Sequence, residues 1–325
     1  MKIININKIK KLFLNKEAIK ELEKSFVSFS MRKIVSPPPF AFNLPNNNGE
    51  ICVKTALIKN LPTYAIKLVS VFKSNTKIGK STLNGTIVIF DSSTGQCLAI
   101  LNEQGWLTNQ RTACAGTIAD KYFRKQSANS LGLVGCGQQG KFQLSMILGQ
   151  AKNYNKVYLW NRTYIKAKIL IKNIKNIFPK IDFFICRNLI RLVNKSDTII
   201  TTTSSTMPLL TSNMIKKGVT IISVGADMPE KCEIDPKLIK KMNKIFVDSI
   251  DSNLILGDIS RAIKNKVINK NKITGEIGEV INKNKIGRVS DSEKILVKLV
   301  GIGIQDTAIG NYIFQKMIGF STSKN

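Results

Sequence analysis

The stretch 130–162 restricts the fold more than any other part of the chain, because a short apolar run there leads straight into a glycine loop. Ser130-Leu131-Gly132-Leu133-Val134 is too short for a helix and is bounded by glycine, so a buried strand is predicted. Gly135-Cys136-Gly137-Gln138-Gln139-Gly140 follows at once, then a helical pattern through Leu148 and a second strand over 156–160. Strand, GxGxxG, helix and strand in that order form the context in which this glycine pattern binds a dinucleotide. Gly135 permits the tight turn, Gly137 lets backbone approach a pyrophosphate, and Gly140 allows close helix–strand packing. The pyrophosphate then rests on free N–H groups at the positive end of the helix. A nicotinamide dinucleotide is the expected ligand.

The end of the second strand discriminates between cofactors. A carboxylate there would hold the ribose 2′-hydroxyl. This chain reads Val157-Tyr158-Leu159-Trp160-Asn161-Arg162-Thr163, with no carboxylate. Arg162 offers instead a planar fork suited to a 2′-phosphate. NADP(H) is therefore favoured, with NAD(H) as the alternative.

Further strand-like runs at 182–186, 198–202, 219–224 and 244–247 alternate with helical patterns at 165–177 and 189–193. That alternation predicts an α/β fold built on a Rossmann-type, doubly wound parallel sheet. Upstream, strands at 51–57, 65–72, 85–91 and 96–101, with Ser92-Ser93-Thr94-Gly95 as a hairpin turn, predict an antiparallel β region. Residues 5–30 carry the apolar spacing of an amphipathic helix, 32–49 read as a proline-rich connector, and 108–126 as a helix. After residue 290 two helices are expected, over 293–299 and 304–317. At 325 residues the natural division is into two domains. The expected bounds are 1–116, with 300–325 returning to it, and a dinucleotide domain over 117–299.

The chain contains no histidine, which removes Ser-His-Asp and Cys-His catalysis and the commonest nitrogen ligand of zinc. Its six cysteines form no CxxC pair and read as free thiols, so no metal site is expected. The net charge of +29, from 50 basic and 21 acidic residues, raises the question of nucleic-acid binding. The lysines are spread along the whole length, without interleaved aromatic residues, so the charge is read as compositional bias and no nucleic-acid partner is expected. It still draws in anionic ligands, over about 8 Å at physiological salt. No run of eighteen apolar residues appears, so no membrane span is predicted. The basic N-terminus carries Glu17, Glu21 and Glu23 and lacks a continuous apolar stretch, which argues against a signal or transit peptide and for a cytoplasmic location.

Several segments together resemble the ornithine cyclodeaminase/μ-crystallin family. They are Ala65-Ile66-Lys67-Leu68-Val69-Ser70, Arg111-Thr112-Ala113, Gly135-Cys136-Gly137-Gln138-Gln139, Trp160-Asn161-Arg162-Thr163, Val224-Gly225-Ala226-Asp227 and Gly303-Ile304-Gln305-Asp306-Thr307. The resemblance covers nearly the whole chain. It implies a homodimer in which a Rossmann domain is paired with a β-rich substrate and dimerisation domain completed by the N- and C-terminal helices. It also implies an NAD(P)-dependent oxidoreductase or cyclodeaminase, with hydride transfer at the α-carbon of an amino or imino acid. Reductases of ketimines or pyrroline carboxylates, cyclodeaminases and amino-acid dehydrogenases all fall within that range. A dinucleotide-binding protein without turnover is the alternative.

By the same resemblance, Lys67 and Arg111 bind the substrate, and Lys67 and Asp227 are catalytic. Cofactor contacts are implied at Thr112, Gly135, Gly137, Gln138, Gln139, Asn161, Arg162 and Thr163. The residue types suit these roles. A guanidinium clamps a carboxylate in two-pronged fashion, and with no histidine present a carboxylate is the natural proton carrier. Two positions depart from the family pattern. Pro39, in Ser36-Pro37-Pro38-Pro39-Phe40, stands where a second carboxylate-binding arginine is usual, and Leu299 stands where a serine is common.

Overall fold

In the computed structural model, which describes residues 1–37, 39–59 and 61–322 (backbone only for 320–322), the chain divides into two units. One holds residues 1–112 and 302–325, the other residues 113–301. Pro38 of the proline run lies outside the described residues.

The first unit opens with β1 (Lys2–Ile4), α1 (Ile6–Leu12) and α2 (Asn15–Ser30). It continues through β2 (Ile34–Val35), β3 (Phe40–Leu44), β4 (Gly49–Ile58), β5 (Thr63–Phe72), β6 (Leu83–Asp91) and β7 (Cys97–Asn102) to α3 (Trp106–Phe123). The division between units falls inside α3, between Thr112 and Ala113. The strands form one sheet in the order β1-β7-β6-β5-β4-β2, with β3 also paired to β4. Alternation sorts the two faces. Ala65, Lys67 and Val69 of β5 are buried, whereas Tyr64, Ile66 and Leu68 between them are partly or largely exposed.

Two sequence expectations are corrected here. The helical segment 5–30 is two helices, broken at Phe13 and Leu14, which are both extended. Phe13 leaves the helix to pack edge-on against Trp106 and Tyr312. The Tyr312 hydroxyl accepts from the Leu14 N–H at 3.0 Å and so satisfies a backbone group freed by the break. The connector 32–49 contains β3, antiparallel to β4 in the register Phe40↔Val53. Its residues are exposed and follow prolines, so neither burial pattern nor propensity marks it as a strand.

The second unit runs β8 (Ser130–Val134), α4 (Gln138–Gln150), β9 (Lys156–Trp160), α5 (Tyr164–Ile174), β10 (Asp182–Ile185), α6 (Leu189–Lys195) and β11 (Thr198–Thr201). Then follow β12 (Thr220–Ser223), α7 (Pro236–Lys240), β13 (Lys244–Val247), α8 (Ile250–Ile255), α9 (Gly257–Lys264), β14 (Gly275–Glu276), α10 (Ile277–Ile281) and β15 (Ile295–Lys298). The eight strands are all parallel, in the order β10-β9-β8-β11-β12-β15-β13-β14. This is the expected doubly wound sheet. Its strand order reverses at β8, so the loop after β8 stands at the switch point where such sheets bind ligands.

The segment 293–299, expected to be helical, is instead strand β15, inserted between β12 and β13. All four of its residues are buried, in a run too short to complete two helical turns. The last helix, α11 (Gly303–Thr322), belongs to the first unit and packs over β4, β5 and β6 and against α2. Among the described residues no helix is long and apolar enough to cross a membrane.

Candidate active site

In the first unit, Lys67 and Arg111 come together on a carboxylate that sequence reasoning did not single out. The first turn of α11 carries Gln305, Asp306 and Thr307, and the Thr307 hydroxyl holds that turn to β4 through the Ala56 carbonyl at 3.0 Å. Lys67 Nζ donates to Asp306 Oδ1 at 2.8 Å. Arg111 Nε lies 3.0 Å from the same oxygen as an ion pair, and its Nη1 donates to Gln305 Oε1 at 2.6 Å. All four residues are buried.

The electrostatics follow from that crowding. Burial, then the Arg111 guanidinium, pull the Lys67 ammonium down to about 8, against the Asp306 carboxylate that supports its charge. Burial alone would raise the Asp306 carboxyl, but Arg111, Lys67 and Lys54 outweigh it and hold it below the usual range. Asp306 Oδ2 and Gln305 Nε2 are buried without a hydrogen-bond partner among the described residues. One is an acceptor and the other a donor, each costing about 1–3 kcal/mol while unsatisfied. A bound zwitterion could satisfy both.

In the second unit the glycine loop has the geometry a pyrophosphate requires. Gly135 adopts φ +103°, which strains any other residue. Its N–H donates to the Trp160 carbonyl at 2.9 Å, and the Cys136 N–H donates to Asn161 Oδ1 at 2.9 Å, so the tips of β8 and β9 are tied together. A Cβ on Gly140 would lie 2.1 Å from the Gly135 carbonyl oxygen, whereas a Cβ on Gly137 would meet nothing within 4 Å among the described residues. Gly137 and Gln138 are exposed, and α4 starts at Gln138 with no side chain capping it. The backbone N–H groups of that first turn are thus left for a ligand, and these residues fit a dinucleotide. Gln139 Nε2 is buried without a hydrogen-bond partner among the described residues. Arg162 and Thr163 follow β9 and are exposed. Thr112, on α3, donates its hydroxyl to the Thr108 carbonyl at 2.8 Å.

Asp227 lies in the second unit, on the loop after β12, where it is partly exposed and pairs with Lys231 at 2.7 Å. A buried carboxylate supports that loop. Glu233 accepts from the N–H groups of Gly225 at 2.8 Å, Ala226 at 3.2 Å and Thr203 at 2.5 Å, and from the Thr201 hydroxyl at 2.7 Å. Burial, then the neighbouring Asp258, raise its pKa. Asp258 accepts from the Glu233 N–H at 2.7 Å and faces the buried Lys298 at 3.4 Å. Leu299, where a serine was the more familiar residue, is buried apolar surface. Pro39 is half-buried, just before β3.

Asp306, Gln305, Glu233 and Lys54 escaped sequence reasoning. The first two stood in the quoted Gly303–Thr307 run, where a charged residue opening an otherwise apolar helix was the available signal.

The model of the ornithine cyclodeaminase/mu-crystallin family matches residues 2–320. A Delta(1)-pyrroline-2-carboxylate reductase of Bacillus cereus is 30% identical over 98% of this chain and 97% of its own. The Delta(1)-pyrroline-2-carboxylate reductase of Thermococcus litoralis, solved with NADH and L-proline, superposes with a TM-score of 0.92 at 26% identity, over 99% of this chain and 98% of that one. An archaeal alanine dehydrogenase dimer with bound NAD superposes with a TM-score of 0.91 at 26% identity, over 99% and 97%. A match over nearly the full length assigns the chain to the ornithine cyclodeaminase/mu-crystallin family.

Proposed function

We propose that this chain is an NAD(P)(H)-dependent oxidoreductase acting at the α-carbon of an amino or imino acid. The observation that carries the reading is the buried Lys67–Asp306–Arg111 cluster, which holds two cations on one carboxylate beside an open donor and an open acceptor. Such a cluster has one positive charge in excess, which an α-carboxylate neutralises, while Asp306 Oδ2 suits an ammonium or iminium N–H. The reductase and dehydrogenase among the similar structures support it.

Gly135, Gly137, Gln138, Gln139 and Asn161 would hold the dinucleotide, which supplies or accepts the hydride when bound. Arg162 would take a 2′-phosphate, so NADP(H) is the preferred form, and Thr112 and Thr163 would complete the contacts. Lys67 and Arg111 fix the carboxylate and so orient the α-carbon. Asp227 is the proton carrier at the substrate nitrogen, on a loop that Glu233 holds in shape. Residues 1–112 with 302–325 form the substrate and dimerisation domain, and residues 113–301 the dinucleotide domain. The chain works as a homodimer through the outer face of the first sheet, where Phe40, Phe42, Leu57 and Leu68 are exposed.

The test is a screen of cyclic imino acids, and of α-keto acids with ammonia, against NADPH and NADH, following nicotinamide absorbance and product. Cofactor oxidation with at least one imino acid is the expected result, and Arg162→Ala should weaken NADPH more than NADH. A cyclodeaminase would release ammonia from a diamino acid with no net absorbance change. Tight NADPH binding without turnover of any of these compounds would leave a binding protein and end the enzyme reading.

A further inference from the structure

Two neighbouring strands of the second unit end in arginines, of which the cofactor reading uses one. β9 and β10 run parallel with Ile185 beside Leu159, and the Cys186 N–H extends the ladder to the Leu159 carbonyl at 2.8 Å. An arginine stands two residues beyond each strand, Arg162 after Trp160 and Arg187 after Ile185. Paired strands lie about 5 Å apart, so two arginine side chains rooted there can meet on one group. Each arginine sits on a short turn pinned by an asparagine. Asn161 accepts from the Cys136 N–H at 2.9 Å and donates to the Thr163 carbonyl at 3.0 Å. Asn188 accepts from the Arg191 N–H at 2.9 Å. Both Arg162 and Arg187 are exposed, and neither makes a hydrogen bond or ion pair among the described residues. The only acidic residue between positions 162 and 191 is Asp182, at the opposite end of β10 in register with Lys156.

We propose that Arg187 is a second arginine for the 2′-phosphate of the cofactor, reaching it from β10 as Arg162 does from β9. This rests on the dinucleotide reading and deepens it. A phosphate monoester carries about −1.5 to −2 charges at pH 7, more than one guanidinium neutralises, and two planar forks can share its three oxygens. A ribose 2′-hydroxyl gives neither arginine a counter-charge, and the end of β9 has no carboxylate to receive it. The pair favours NADP(H) by more than Arg162 alone. Arg187 thus sets cofactor choice and takes no part in the hydride step.

The experiment measures dissociation constants of NADPH and NADH for the intact protein, by titration of nicotinamide fluorescence without substrate. Wild type should bind NADPH the more tightly. Arg187→Ala should weaken NADPH by about tenfold or more, the scale of one lost charge-assisted contact, and NADH by less than about twofold. Arg187→Lys, which keeps the charge but not the fork, should lose only part of that preference. Lys172→Ala removes an equal charge from α5 and should leave the ratio of the two constants unchanged. Melting temperatures identify any variant that fails to fold, and Arg187→Lys against wild type then decides. Equal losses for both cofactors, an unmoved NADPH constant, a wild-type preference for NADH, or the same shift with Lys172→Ala overturns the inference and leaves dinucleotide binding intact. Binding of neither cofactor overturns both.

Discussion

An ammonium and a guanidinium buried side by side repel each other and have given up water, so their cost is set by the one carboxylate between them. For Lys67 the outcome is a charge that is easily lost. Its pKa in the folded chain is about 8, below the ordinary lysine value of 10.5. As pH rises through about 8 the folded protein loses the Lys67 charge, while the unfolded chain keeps it up to its ordinary value. Carboxylate clamping should weaken over that range, while the penalty Lys67 imposes on folding, full below about 8, shrinks as pH rises and is gone only above about 10.5. We expect kcat/KM to fall with an apparent pKa near 8, since that ratio reports the free enzyme. Lys67→Arg, which stays charged, should move the alkaline limb upward; an unmoved limb would assign it to another group. Lys67 was legible from its strand motif, and Arg111 from the short run around it. Asp306 was not, because it meets Lys67 across 239 residues and no local period reports such a meeting.

At the scale of elements, the glycine loop and its helix divide two kinds of constraint that the GxGxxG pattern merges. Gly140 is fixed by the fold, since a Cβ there would strike the Gly135 carbonyl. A Cβ on Gly137 would meet nothing within 4 Å among the described residues. Gly140→Ala should therefore destabilise the protein by about 1–3 kcal/mol as an overpacking change. Gly137→Ala should leave the melting temperature of the free protein nearly unchanged and still weaken dinucleotide binding tenfold or more, read by titration of cofactor fluorescence. Equal effects of the two on stability would remove the distinction. The loop after β12 depends on Glu233 in a comparable way, because every group around its carboxylate that the structure pairs with it is a donor. Glu233→Gln sets an amide N–H₂ against those donors. We expect a loss of about 2–4 kcal/mol in denaturant unfolding and a lower kcat; full stability with unchanged kcat would dismiss the support role. Six strands of the second sheet, β8 to β13, were legible because each is a short apolar run between turn signals, whereas β14, the pair Gly275-Glu276, carries no such run. β15 was misread since its four residues follow a polar turn and precede a helical pattern, and only its insertion between β12 and β13 settles its form.

For the whole molecule, the two faces of the first sheet differ in what covers them. α11 lies over the inner face, and the outer face shows Phe40, Phe42, Leu57 and Leu68 to solvent in the single chain. Burial of such side chains is worth about 1.5–3 kcal/mol each, in keeping with the proposed cover by a second copy. Leu68→Lys should shift sedimentation from dimer toward monomer at micromolar concentration without unfolding the chain. A wild-type protein that sediments as a monomer would contradict the dimer directly. The net charge of +29 works against any such association through self-repulsion, which makes the apolar face more telling.

Cys136 sits inside the glycine loop with its Sγ 3.7 Å from the Trp160 carbonyl, and burial pushes its thiol up to about 12. A thiol in that state reacts slowly with alkylating reagents, because only its thiolate attacks them. Reaction at Cys136 therefore counts the moments when the β8–α4 turn comes apart. Its labelling rate is a clock for loop opening, and any molecule resting on that turn should slow it in proportion to its occupancy.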